Sequence, residues 1–400
     1  MNVKIEKAKR LNQLPPYLFA QLDKVKRGLR EEGKDIIDLG IGDPDLPTPP
    51  PIIEKLSQAA KNPQNHRYPS YEGLLSFRQA ASHWYRKRFG VKLDPEKEIL
   101  TLIGSKEGIA HISLALINPG DFALVPDPAY PVYRAGVIFA GGRPFPIPLR
   151  EENHFLPSLR EINKEAAQRA KILFLNYPNN PTAATASRNF FQEVISFAEE
   201  FNIVICHDLA YSEIFFDGHQ PISLLEVKGA KEIGVEFHSL SKTFNMTGWR
   251  IGFVAGNQRI IEALGEVKTN IDSGVFQAIQ EAGAEALKME EEISQKMRRV
   301  YQRRRDILIK GLGEIGWKVN PPQATFYIWA KIPGHLSSLK FAEKLLKQCG
   351  IVVTPGIGFG SYGEGYVRIA LTVSEERIKE AIERIKKSGF MKRESLECQD

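Results

Sequence analysis

Cysteine is scarce. There are three in 400 residues, at 206, 349 and 398, widely spaced and without a C-x-x-C pair. This excludes a disulfide framework and a cysteine-ligated zinc site, and no metal is expected. Cys206, inside an apolar run, is left to pack as a small hydrophobe. Long apolar runs are missing too. No stretch approaches the roughly 20 apolar residues of a membrane-spanning helix, and the lysine-rich residues 1–10 lack the apolar block of a secretory signal. The chain reads as cytoplasmic, with no membrane partner. Nor is there a basic block: the formal charge of +6 comes from Lys and Arg scattered among Asp and Glu. Nucleic acid is therefore not an expected partner, whereas a modest positive excess suits small anionic substrates. Internal repeats and low-complexity tracts are absent.

What is present is a globular composition, 42% hydrophobic and 26% charged, in a chain long enough for two cores. A helix is expected over residues 18–32. Residues 35–39 lead into Gly40-Ile41-Gly42-Asp43-Pro44-Asp45, turn chemistry in which glycine permits close approach to a ligand. The proline-rich residues 47–51 are a candidate boundary. Short apolar runs follow at 99–103, 122–125, 171–175, 203–207, 235–239 and 252–255, several of them almost wholly apolar, with helical stretches between. Such runs are strands covered on both faces, so the pattern predicts an α/β unit with a mostly parallel sheet. A long Glu-, Lys- and Arg-rich helical pattern runs from residue 274 to about 311. Beyond it, residues 317–390 alternate two strands, 325–330 and 367–371, with two helices. The expected division is an N-terminal arm and part of a small domain (1–47), a large domain (48–285), a small α+β domain (286–390) completed by the N-terminus, and a polar tail (391–400).

Parallel sheets bind ligands beyond the carboxyl ends of their strands, and the polar clusters fall there. They are Gly104-Ser105-Lys106, Asp127-Pro128-Ala129-Tyr130, the segment 176–182, the segment 207–211 and the loop Ser239-Leu240-Ser241-Lys242 with Arg250. A lone Ser-Lys loop is a polar surface turn. In this company Lys242 is a candidate Schiff-base lysine for an aldehyde cofactor, pyridoxal phosphate, whose ring nitrogen needs a carboxylate to keep it protonated. Asp208, at a strand end, supplies one, although alone it would be a helix cap. Tyr211 and Asn180 are placed to hydrogen-bond the phenolic oxygen. Ser105, Lys106, Ser239, Ser241 and Arg250 suit a phosphate at a helix start. Tyr130 is either a stacking partner for the ring or a half-buried turn aromatic. Arg368, inside the apolar Tyr366-Val367-Arg368-Ile369-Ala370-Leu371, is costly unless paired, and a substrate carboxylate would pair it.

Together N-Y-P-N-N-P-T at 176–182, D-x-x-Y at 208–211, S-x-S-K-x-x-x-x-x-G-x-R-x-G at 239–252 and the R-x-A strand at Arg368 resemble class I/II, fold-type I pyridoxal-phosphate aminotransferases over residues 36–387. The resemblance implies the fold-type I architecture, a large domain with a mostly parallel sheet and a smaller α+β domain from both termini. It also implies ping-pong transamination between small amino and oxo acids, with Lys242 as Schiff base and proton shuttle. The other cofactor roles are those given above. Arg368, Asn180 and the Gly42 backbone would hold the substrate, and Tyr68 would reach the phosphate of a neighbouring subunit in a homodimer with shared active sites. Leu14-Pro15-Pro16-Tyr17, the segment 38–47 and the segment 206–213 look like the bacterial LL-diaminopimelate aminotransferase branch, in which Tyr17 would approach the substrate. That likeness implies LL-diaminopimelate with 2-oxoglutarate. Alanine, aspartate or aromatic aminotransferases and a C–S β-lyase are the alternatives, since one scaffold serves many substrates.

Overall fold

The computed structural model describes residues 3–14 and 19–391, so Tyr17 and residues 392–400 lie outside the described residues. In chain order the strands are β1 (Ile37–Asp38), β2 (Ile99–Leu102), β3 (Phe122–Asp127), β4 (Arg143–Pro148), β5 (Ala170–Leu175), β6 (Val204–Asp208), β7 (Gly234–Ser239), β8 (Gly252–Gly256), β9 (Tyr327–Lys331), β10 (Ile351–Val352), β11 (Thr354–Pro355) and β12 (Tyr366–Ala370). The six expected apolar runs all form strands, with ends shifted by at most two residues. They join β4 in one sheet of order β2-β8-β7-β6-β5-β3-β4. All neighbours are parallel except β8, which runs antiparallel to both β2 and β7. β4 was not expected from its sequence, because three of its six residues are proline. It is tolerated at the sheet edge, where the missing N–H donors need no partner.

Period-two alternation sends neighbouring side chains to opposite faces. Leu173 and Leu175 of β5 join one apolar cluster, with Phe77, Phe191 and Phe253, while Ile172 and Phe174 join another, with Ile109, Val137 and Phe237. Helices on both sides complete these layers. The same direction of β2, β3, β5, β6 and β7 brings their carboxyl ends to one edge, at Leu102, Asp127, Leu175, Asp208 and Ser239.

A third apolar cluster is built largely from residues near both ends of the chain: Ile37 and Leu39 pack with Tyr301, Leu308, Phe326, Phe341, Ile378 and Phe390, joined by Tyr211, Ile214 and Phe216. β1 pairs in parallel with β10, and β11, β12 and β9 form a three-stranded antiparallel sheet. β10 and β11, two residues each, are too short to carry periodicity and were not expected. The helical pattern expected over 274–311 is two helices, Gln277–Lys288 and Glu290–Glu314, meeting at Met289. In the proline-rich link, Pro50 and Pro51 open the helix Pro50–Ala60, where a residue without an N–H costs nothing. Cys206 and Cys349 are buried and form no disulfide among the described residues. Among the described residues no helix is long and apolar enough to cross a membrane.

Candidate active site

The strand ends open on a cavity of about 640 Å³. Every residue expected at the site lines it except Tyr17, which is not described, and Tyr68, which is 86% exposed on a loop away from it.

Lys242 projects from a one-turn helix, Leu240–Thr243, whose first residues are fixed by the Ser239 hydroxyl accepting from the Ser241 N–H. Its Nζ donates to the Gly42 carbonyl at 2.9 Å. Burial pulls the amine below its ordinary proton affinity, against the opposing influence of Tyr327 and Asp43. A neutral amine is the form that attacks a carbonyl and accepts a proton.

Asp208 closes β6 and is 6% exposed. Burial pushes its carboxyl up to about 6, against a 2.8 Å hydrogen bond that Tyr133 donates to Oδ2. Oδ1 is buried with no partner among the described residues. An ionisable oxygen in that state calls for a cationic or N–H partner from the cavity. Sequence reasoning missed Tyr133, although it lies one helical turn after Tyr130, on the helix Val132–Phe139.

The segment 176–182 is locked by its own side chains. Asn176 Nδ2 donates to the Asp208 carbonyl at 2.7 Å, and its Oδ1 accepts from the Asn180 N–H at 2.7 Å. Behind it His207, fully buried, accepts from the Tyr177 N–H at Nε2 (3.1 Å), so Nδ1 must carry the hydrogen donated to Glu236 at 2.8 Å. Glu236 also accepts from Tyr85, Ser223 and the Leu224 N–H. Burial would raise its carboxyl, but the His207 and Ser223 hydrogen bonds bring it below the usual value. The charge is thus satisfied, and the strand end carrying Asp208 rests on a fixed polar base.

Phosphate chemistry gathers at the other side. Gly104 has φ +74°, and a Cβ there would lie 2.4 Å from Arg250 Nη2. Only glycine lets this guanidinium approach the start of the helix Ser105–Leu116. Ser105, Lys106, Ser239, Ser241 and Arg250 share the cavity wall. Exposed N–H groups at a helix start, hydroxyls and two cations form a donor set for a phosphate dianion. Lys106 Nζ lies 5.8 Å from the centre of the Tyr130 ring.

Arg368, on β12 and 6% exposed, donates to Asn180 Oδ1 at 2.8 Å and to the Gly40 carbonyl at 2.7 Å. The protein thus supplies part of the pairing expected from a substrate carboxylate. With Oδ1 engaged, Asn180 turns its NH₂ to the remaining partners. Gly42 enters through its carbonyl, which receives Lys242. Tyr327, unforeseen from the sequence, lies between these groups: its ring is 4.2 Å from the Arg368 guanidinium and its hydroxyl 3.2 Å from that of Tyr211. A Cβ on Gly42 would stand 1.9 Å from that hydroxyl. Because Tyr327 is buried, Gly42→Ala should lower stability by about 1–3 kcal/mol and kcat/KM by about ten- to a hundredfold. Thermal melting and steady-state kinetics check both.

A lysine amine of lowered proton affinity, a buried carboxylate lacking one partner, a donor set suited to phosphate and a buried arginine around one cavity fit a pyridoxal-phosphate enzyme acting on amino acids. The chain belongs to the aminotransferase class I and II family, whose model matches residues 34–385. LL-diaminopimelate aminotransferase of Halothermothrix orenii is 55% identical, covering 96% of this chain and 99% of the relative. That of Syntrophobacter fumaroxidans is 56% identical, covering 96% and 99%. The substrate-bound BacF structure from Bacillus subtilis matches with a TM-score of 0.92 at 39% identity, over 96% of this chain and 98% of that one.

Proposed function

We propose that this aminotransferase moves an amino group from LL-2,6-diaminopimelate to 2-oxoglutarate, giving tetrahydrodipicolinate and glutamate, as a cytoplasmic homodimer. The observation that carries the substrate is the 55–56% identity over 96% of the chain to enzymes named for that donor.

Bound pyridoxal phosphate supplies an aldehyde that takes up the amino group and a ring that accepts the electron pair left when the α-proton departs. Ser105, Lys106, Ser239, Ser241 and Arg250 hold its phosphate. Asp208, steadied by Tyr133, would hold a proton on the ring nitrogen, and Tyr130 would pack against the ring. Tyr211 and Asn180 would donate to the phenolic oxygen. Arg368 receives the substrate α-carboxylate and sets the α-carbon within reach of Lys242. Lys242 Nζ, whose proton affinity burial lowers, would act as the base that takes the α-proton and passes it on to the cofactor. The oxo acid leaves, and the same residues act in reverse order on 2-oxoglutarate.

The apolar clusters on the two faces of the large sheet and the separate one around Tyr301 and Phe326 support a division into a large unit (48–285) and a small one formed by 1–47 and 286–390, with the substrate bound between them. Sharing of active sites is supported by the exposure of Tyr68, near the exposed Tyr71 and Leu75 in the chain, with the exposed Phe276 ring 6.4 Å from that of His66. A partner subunit would cover these residues and bring its own Tyr68 to the phosphate.

The competing C–S β-lyase reading is tested by incubation with cystathionine and no oxo acid. Transamination predicts no multiple turnover of pyruvate and ammonia. Sustained release of both would overturn it.

A further inference from the structure

The two hydroxyls between the small and large sheets fix a direction for one proton. Tyr211, after β6, and Tyr327, on β9, face each other at 3.2 Å, and both are buried. Neither hydroxyl has another hydrogen-bond partner among the described residues. Each carries one hydrogen and can also accept. If Tyr211 spends its hydrogen on the phenolic oxygen of the cofactor, the bond between the two tyrosines can only run from Tyr327 to Tyr211. We infer that Tyr327 is a positioning residue that donates to Tyr211 Oη, orienting the Tyr211 hydrogen toward the cofactor and strengthening that bond. The inference rests on the proposed placement of Tyr211.

The setting favours such a relay. Tyr327 is held from three sides: its ring packs 5.6 Å from that of Tyr211, the Arg368 guanidinium lies 4.2 Å from the ring, and Gly42 leaves room for the hydroxyl only because it has no Cβ. Hydrogen bonds in series polarise one another, most strongly in a dry interior. A better donor on the phenolic oxygen stabilises its negative charge and so disfavours the proton shared with the lysine-bound nitrogen. The charged and titratable groups around the pair are Asp208 and Tyr133 beside Tyr211, Lys242 from the loop after β7, Arg368 from β12, Asp43 from the N-terminal segment and Tyr301 from the helix Glu290–Glu314. Tyr327→Phe also removes the influence of Tyr327 on Lys242 and Tyr301, an effect independent of Tyr211 that the double variant separates from the relay.

The test uses the cofactor-loaded enzyme and follows the pH midpoint of its visible absorbance in wild type, Tyr327→Phe, Tyr211→Phe and the double variant. Phenylalanine keeps the ring under Arg368, so the KM for the amino donor in Tyr327→Phe stays within about twofold. The midpoint should rise by about half a unit in Tyr327→Phe and by about one unit or more in Tyr211→Phe. The double variant should match Tyr211→Phe alone, because the relay has no second route. A Tyr327→Phe midpoint equal to wild type, beside a raised Tyr211→Phe midpoint, overturns the relay and leaves the placement of Tyr211 intact. Fully additive shifts also overturn it. An unmoved midpoint in Tyr211→Phe removes the placement itself and the relay with it.

Discussion

Lys242→Ala should abolish the visible absorbance of lysine-bound cofactor and lower transamination by about four orders of magnitude or more. Two losses coincide at one atom. In the proposed mechanism Nζ is the amine that takes the aldehyde and also the base that moves the α-proton. It is set in the cavity by the Gly42 carbonyl at 2.9 Å, and burial lowers its proton affinity. Nothing else in that position can accept a proton. The phosphate cradle does not involve this side chain, so the variant should still retain cofactor. A second lysine, Lys106, lines the same cavity. Survival of the absorbance band in Lys242→Ala would transfer the role to it. Absorbance spectra and single-turnover kinetics decide between the two.

Asp208→Ala should reduce kcat/KM by about three orders of magnitude. The carboxylate has one oxygen engaged by Tyr133 and the other without a partner among the described residues, in a residue that is 6% exposed. There a proton on the ring nitrogen meets a full opposing charge with little solvent screening. Without that charge the ring accepts electrons poorly, and the α-proton stays in place. Asp208→Asn separates charge from shape, because it can still accept from Tyr133 while carrying no charge. It should be nearly as inactive as Asp208→Ala. Turnover close to wild type in either variant would reject Asp208 as the partner of the ring nitrogen.

Much of this site was legible because its chemistry is concentrated at strand ends. Apolar runs such as 171–175 and 203–207 are covered on both faces, so their composition marks them as strands and their polar ends mark the crevice. Arg368 was legible for a related reason: a guanidinium in an apolar run needs a partner. Tyr133 and Tyr327 were not. Each lies in an apolar stretch, on the helix Val132–Phe139 and on β9, where a tyrosine reads as packing, and only the fold shows what its hydroxyl meets. The same holds for Glu236, whose place beside His207 depends on the register of β6 against β7. β4 was hidden by its prolines, and β10 and β11 by their length. Tyr68 was read from likeness to a family, and in the single chain it is exposed and does not line the cavity.

The central claim concerns the donor, and glutamate formation from 2-oxoglutarate with a panel of amino donors tests it most directly. The account predicts that kcat/KM for LL-2,6-diaminopimelate exceeds that for alanine, aspartate and phenylalanine by at least about a hundredfold. No turnover of LL-2,6-diaminopimelate beside brisk turnover of alanine or aspartate would contradict it.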